Sequence, residues 1–147
     1  MGSRHLCRTI ALQVLYELDF LGLGQVNKKK KDEILNRHLQ ESGLDVDEKK
    51  EFATQLVNNV IKHLPEIDVY IKKYAAQWPI EQITAIDRNA LRLGIYEMIF
   101  LKETPLKVAI NEAIEVAKVF GGGSSGKFVN GVLGALYEDL PDKDKEK

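Results

Sequence analysis

The sequence predicts an all-α fold of about seven helices. Apolar residues recur at steps of three and four along almost the whole chain, the spacing that gathers them on one face of a helix. No window alternates apolar and polar residues for long enough to make a strand, and glycine or proline stands where the periodic stretches must end. At 147 residues the chain has the length of about one domain, enough to bury a core without disulfides or metal.

The first helix spans about residues 4–20, with Cys7, Ile10, Ala11, Val14, Leu18 and Leu21 on its apolar face before Gly22 and Gly24 stop it. Lys28 to Lys31 then read as a solvated linker, since four adjacent charges cannot share one helix face. A second helix covers about 32–41 through Ile34, Leu35 and Leu39, closed by Gly43. The third, about 47–64, carries the strongest amphipathic pattern, through Phe52, Leu56, Val57, Val60, Ile61 and Leu64, and Pro65 stops it or opens the next helix. A short fourth helix holds Ile67, Tyr70, Ile71 and Tyr74, and Trp78–Pro79 makes a corner because the residue before proline leaves helical geometry.

Thr84 and Asp87 have the spacing of a capping box, so the fifth helix starts after Thr84 and runs through Ile86, Leu91, Leu93, Ile95 and Met98. Pro105 fits the first turn of a sixth helix ending near Phe120. A glycine loop separates it from a seventh helix at about 125–140, and the charged residues 141–147 read as a flexible tail.

Composition excludes several function classes. Lys plus Arg number 21 against 22 Asp plus Glu, so any site for a polyanion must be a local patch. The single cysteine, Cys7, forms no intrachain disulfide, and no apolar run is long enough to span a bilayer, which points to a cytoplasmic protein. His5, His38, His63 and Cys7 are scattered without metal-ligand spacing, so neither metal nor cofactor is expected. Glu112 and Glu115 could serve as acid and base, but no nucleophile or convergent histidine accompanies them, and no enzyme is expected.

The stretch from Phe120 to Gly131 has the G-x4-G-K spacing of a phosphate-binding loop, yet Phe128 stands where that motif needs a hydroxyl for magnesium, and no strand precedes it. What remains is a glycine hinge with Lys127 to attract a phosphate and Phe120 and Phe128 as stacking surfaces or as core. On the first helix, Arg4, His5, Arg8, Leu12 and Tyr16 fall off the apolar stripe, so cations and an aromatic share an exposed side suited to single-stranded RNA. Asp87, Arg88 and Arg92 form either a partner surface or intrahelical ion pairs. Asn111 and Asn130 sit within apolar stretches, where a buried amide must find partners.

Four ordered groups of residues carry a family resemblance. They are Ala11-Leu12-Gln13-Val14-Leu15-Tyr16, then Ile86-Asp87-Arg88-Asn89-Ala90-Leu91-Arg92-Leu93 with Tyr96-Glu97, then Val108-Ala109-Ile110-Asn111-Glu112-Ala113, then Lys127-Phe128-Val129-Asn130-Gly131-Val132-Leu133. Together they span nearly the whole chain, which resembles the NusB family of transcription antitermination factors. The resemblance implies two packed helical sub-bundles, about 1–78 and 79–140, and a non-enzymatic RNA-binding adaptor. Members bind the boxA element of ribosomal RNA transcripts with the ribosomal protein NusE and help RNA polymerase read through terminators in an antitermination complex.

Carried over by position, the RNA surface would use Arg4, His5, Arg8, Tyr16, Phe120, Lys127 and Phe128, and the NusE surface Tyr74, Asp87 and Arg88. The basic cluster at the N-terminus is thinner than in many relatives, which implies greater dependence on the partner. The Gly and Ser loop lacks the acids that some relatives carry there. No membrane is expected, and the resemblance leaves homodimerisation open. An alternative is the same helical module as the RNA-binding part of a ribosomal RNA cytosine methyltransferase, although this chain has neither a cofactor-binding sheet nor a cysteine other than Cys7.

Overall fold

The computed structural model describes residues 2–44 and 46–145, and every regular element among them is helical. The chain divides into two compact units, Met1–Lys62 and His63–Lys147. The division falls before the fourth helix, not near residue 78, because that helix packs on those that follow it.

The first unit contains α1 (Gly2–Leu21), α2 (Lys28–Glu41) and α3 (Asp47–Lys62), with α1 packed on both of the others. Cys7, Ile10, Ala11, Val14 and Leu18 are buried as the periodicity requires, together with Ile34, Leu35 and Leu39 of α2 and Leu56, Val57 and Val60 of α3. Leu21, expected in this core, is exposed. The Cys7 thiol donates to the Lys49 carbonyl at 3.3 Å, and burial raises its pKa.

The lysine run is not a linker. Asn27 caps α2 by accepting from the Lys30 amide at 2.8 Å, so Lys28 to Lys31 form its first turn, with Lys28 Nζ 2.8 Å from Asp32 Oδ2. The cap satisfies an amide that the helix itself leaves unpaired, and lysine is a good helix former that keeps its charge in water. Across the unit, Glu17 of α1 accepts from Arg37 at 2.7 Å and lies 3.0 Å from His38 Nε2, both on α2.

In the second unit, α4 (Leu64–Tyr74) has Pro65 in its first turn, and a 3-10 turn (Ile80–Gln82) follows the Trp78–Pro79 corner. The α5 helix (Ala85–Ile95) starts at the expected cap, Thr84 Oγ1 accepting from the Asp87 amide at 3.2 Å. It packs chiefly on α6. Beyond Ile95 the chain widens into a π-helical turn, Tyr96–Leu101, where a continuous α-helix through Met98 was expected. Lys102, at φ 57, ends it, and the buried Glu97 accepts from Thr104 Oγ1 at 3.0 Å. No periodicity argument distinguishes such a turn from α-helix over six residues.

The expected sixth and seventh helices are two arms of α6 (Leu106–Asp139), and the glycine loop between them is a kink. Gly122 makes it with φ 79 and ψ −169, a conformation essentially restricted to glycine. Asn111 and Asn130 are exposed, so neither is the buried amide expected from its apolar neighbours. Residues 142–145 of the supposed tail form a helical turn, α7 (Asp142–Lys145), with Lys145 Nζ donating to the Glu138 carbonyl at 3.1 Å. Glu146 and Lys147 lie outside the described residues.

Candidate nucleic-acid interface

In the first unit the surface is built on α1. Arg4 is exposed, its guanidinium carbon 4.1 Å from the centre of the Phe52 ring on α3. Arg8 lies 5.8 Å from the same ring but is only 6% exposed, so its expected place on the solvent side is corrected. Leu12 is fully buried too. The reason is that α1 buries more than one face, packing on both α2 and α3, whereas a wheel drawn around one apolar stripe assumes a single buried face. His5 is half-buried, with its carbonyl accepting from Thr9 Oγ1 at 3.0 Å.

Tyr16 is exposed as expected, at 42%. One turn further along α1, Phe20 is 84% exposed, a residue that sequence reasoning missed. Its spacing of four from Tyr16 was the available signal. Two large aromatic rings thus stand in water on the same side of α1, a helix that packs on both α2 and α3.

In the second unit, Phe120 precedes the Gly122 kink and is 38% exposed. Lys127 is exposed and Phe128 half-buried, and both line an open groove of about 420 Å³. Its other walls include Lys73, Tyr74 and Trp78, from the end of α4 and the corner after it. The Tyr74 hydroxyl donates to Asp139 at 2.7 Å, and this bond to a carboxylate holds its pKa above the ordinary tyrosine value. The groove therefore brings Tyr74, assigned to a protein partner, together with Lys127 and Phe128, assigned to RNA.

Asp87 is buried at 9% exposure, and among the described residues its Oδ1 has no hydrogen-bond partner. A buried carboxylate oxygen left without a donor is costly. Arg88 differs. Its Nη1 donates to the carbonyls of Ile80 at 3.1 Å and Ile83 at 2.6 Å, holding the 3-10 turn against α5. Glu115 is exposed and pairs with Lys118 at 3.3 Å, an arrangement for solvent and not for proton transfer. Among the described residues no three His, Cys, Asp or Glu side chains gather as metal ligands, and no helix is long and apolar enough to cross a membrane. Chemically these surfaces offer cations, stacking planes and one unsatisfied acceptor.

The sequence model of the NusB family matches residues 5–138. The chain belongs to the NusB family. The transcription antitermination protein NusB of Dehalococcoides mccartyi strain 195 is 43% identical over 145 residues, covering 99% of this chain and 96% of that protein. NusB of Geobacter sulfurreducens is 39% identical over 143 residues, covering 97% and 99%.

Solved NusB structures agree. A crystal structure of the antitermination factors NusB and NusE in complex with double-stranded RNA superposes with a TM-score of 0.83 at 33% identity, covering 95% of this chain and 99% of that one. Thermotoga maritima NusB does so with a TM-score of 0.83 at 32% identity, covering 98% and 97%. This NusB-family member is accordingly a transcription antitermination factor and not an enzyme. The methyltransferase alternative is set aside, because the chain matches whole NusB proteins from end to end.

Proposed function

We propose that this protein binds boxA RNA of ribosomal RNA transcripts together with NusE, and through the polymerase antitermination complex supports read-through in the cytoplasm. The observation that carries the reading is the exposure of Tyr16 and Phe20 one turn apart on α1. Folding gives no reason to display two large rings in water, whereas unstacked bases need such planes. Arg4, at the start of the same helix, and Lys127, beside Phe128, supply cations for phosphates.

Arg4, His5, Tyr16, Phe120, Lys127 and Phe128, joined by Phe20, are the RNA contacts in this reading, and Arg8 supports α1 from within. The NusE surface centres on Asp87, whose unpartnered Oδ1 can accept from a donor on the partner. Tyr74 offers its ring, its hydroxyl being occupied by Asp139, and Arg88 shapes the turn that flanks Asp87.

The test is binding of boxA RNA and of a scrambled RNA, with and without NusE, over a salt series. Affinity should favour boxA, rise when NusE is added, and fall as salt increases because phosphate contacts release counterions. Equal affinity for the two RNAs in both conditions would refute the proposal.

A further inference from the structure

We propose that the groove beside Phe128 is a slot for one unstacked nucleotide of single-stranded RNA, with Trp78 as its stacking plate and Lys73 and Lys127 as its phosphate contacts. The inference rests on the RNA-binding reading above and extends it to residues assigned no role there.

Trp78 is 54% exposed, and it forms one wall of the groove. Its backbone is held, because its amide donates to the Ala75 carbonyl at 3.1 Å and Pro79 follows it. The backbone that carries the indole is therefore fixed, which limits the backbone entropy lost when a base stacks on it. Phe128 stands on the second arm of α6 and supplies a second aromatic wall. Gly131, three residues on, also lines the groove, and a Cβ there would meet nothing within 4 Å, so the floor is open.

Lys73 and Lys127 both line the groove, Lys73 with its Nζ 5.3 Å from the centre of the Tyr74 ring, and neither is paired with a carboxylate among the described residues. The nearby Asp139 is already engaged by the Tyr74 hydroxyl. Two cations around two aromatic walls select a planar ligand with an attached negative charge, which describes a nucleotide. The slot is also continuous with Lys127 and Phe128 of the proposed RNA surface. Stacking accepts any base, so the slot adds affinity without reading sequence.

Trp78 is the only tryptophan in the chain, so its fluorescence reports this groove alone. The full-length protein is titrated with a short single-stranded boxA RNA, with and without NusE. Trp78 emission is expected to be quenched with the same midpoint as binding followed by anisotropy of labelled RNA. Trp78→Ala should weaken RNA binding roughly 5- to 150-fold, the range of one lost stacked base, while Trp78→Phe retains most of the affinity. Gly131→Leu, with its helical circular dichroism unchanged, should weaken binding by filling the floor.

Tight RNA binding with unchanged Trp78 emission, or full affinity in Trp78→Ala, overturns the slot while leaving the antitermination reading intact. Loss of NusE association in Trp78→Ala at undiminished RNA affinity makes the groove a protein surface and likewise overturns it. If boxA RNA fails to bind better than the scrambled control under every condition, the reading and the slot fall together.

Discussion

Arg92 Nε and Nη2 donate to the two carboxylate oxygens of Asp68 at 2.9 and 3.0 Å, a bidentate pair that ties α5 to α4. The Arg92 side chain is 6% exposed and that of Asp68 19%. Arg92 Nη1 also donates to Asn89 Oδ1 at 3.1 Å, and Asn89 in turn donates to the Ala85 carbonyl at 2.8 Å. In the sequence Arg88 and Arg92 are one turn apart and repel slightly unless an acid such as Asp87 or Glu97 intervenes. The fold separates their tasks, giving Arg88 two backbone carbonyls and Arg92 a carboxylate.

Removing one member of a buried ion pair strands the other. Asp68→Ala should therefore cost about 3–5 kcal/mol of unfolding free energy. Urea unfolding of the two proteins measures this, and a loss below about 1 kcal/mol would show that the pair is not holding α4 to α5.

The α5–α6 contact depends on a missing side chain. A Cβ on Gly94 would lie 2.7 Å from Leu133 Cδ1 and 3.1 Å from Ala113 Cβ. The leucine methyl can turn away, but the alanine Cβ moves only with its backbone. Gly94→Ala should thus destabilise by about 1–3 kcal/mol from overpacking, despite the roughly 1 kcal/mol by which alanine favours a helix. A raised melting temperature would contradict this.

Glu17 links α1 to α2, and its hydrogen bond from Arg37 is the main reason its pKa lies below the usual glutamate value of 4.5, with His38 adding to the effect. A carboxyl depressed in the folded state stabilises above its unfolded pKa, and that contribution disappears as pH falls through the folded value. Stability measured from pH 7 to pH 3 should decline below about pH 4.5 in the natural protein. Glu17→Gln should be less stable at pH 7, and its curve should converge with the natural one at the acid end. Parallel curves would assign the acid loss to other carboxylates.

Arg8 and Tyr16 should separate by phenotype. Tyr16→Ala is expected to weaken RNA binding by about 1–3 kcal/mol with little change in melting temperature, since its ring is exposed. Arg8→Ala should instead lower stability by about 1–3 kcal/mol, because it removes a buried stem and guanidinium packed near Phe52. Parallel titrations and thermal melts check both. An Arg8→Ala protein of undiminished stability with a reduced salt dependence of RNA binding would restore Arg8 to the surface role.

Much of the fold was legible because helix periodicity and capping are local. The Thr84 cap, the Pro65 start of α4, and the buried faces of α1 and α3 all follow from residues within a few turns of one another. The lysine run reads as a linker by its charge alone, but helix propensity and the Asn27 cap beside it decide for a helix. The π-helical turn at 96–101 was not legible, since six residues carry no period that separates it from α-helix.

The sequence by itself determined the helical class, the family and the chemical character of the surface, because these depend on residue types and their order along the chain. Tertiary structure alone decided which of those residues face water. Arg8 and Leu12 are buried where a single-stripe helix would expose them, because a helix packed on two neighbours has less free surface than its own pattern reveals, while Phe20 at the end of the same helix stays exposed. It also decided which residues meet. Phe128 lies about 50 positions beyond Lys73 and Trp78 in the chain, and only the packing of α4 on α6 brings it to one groove with them.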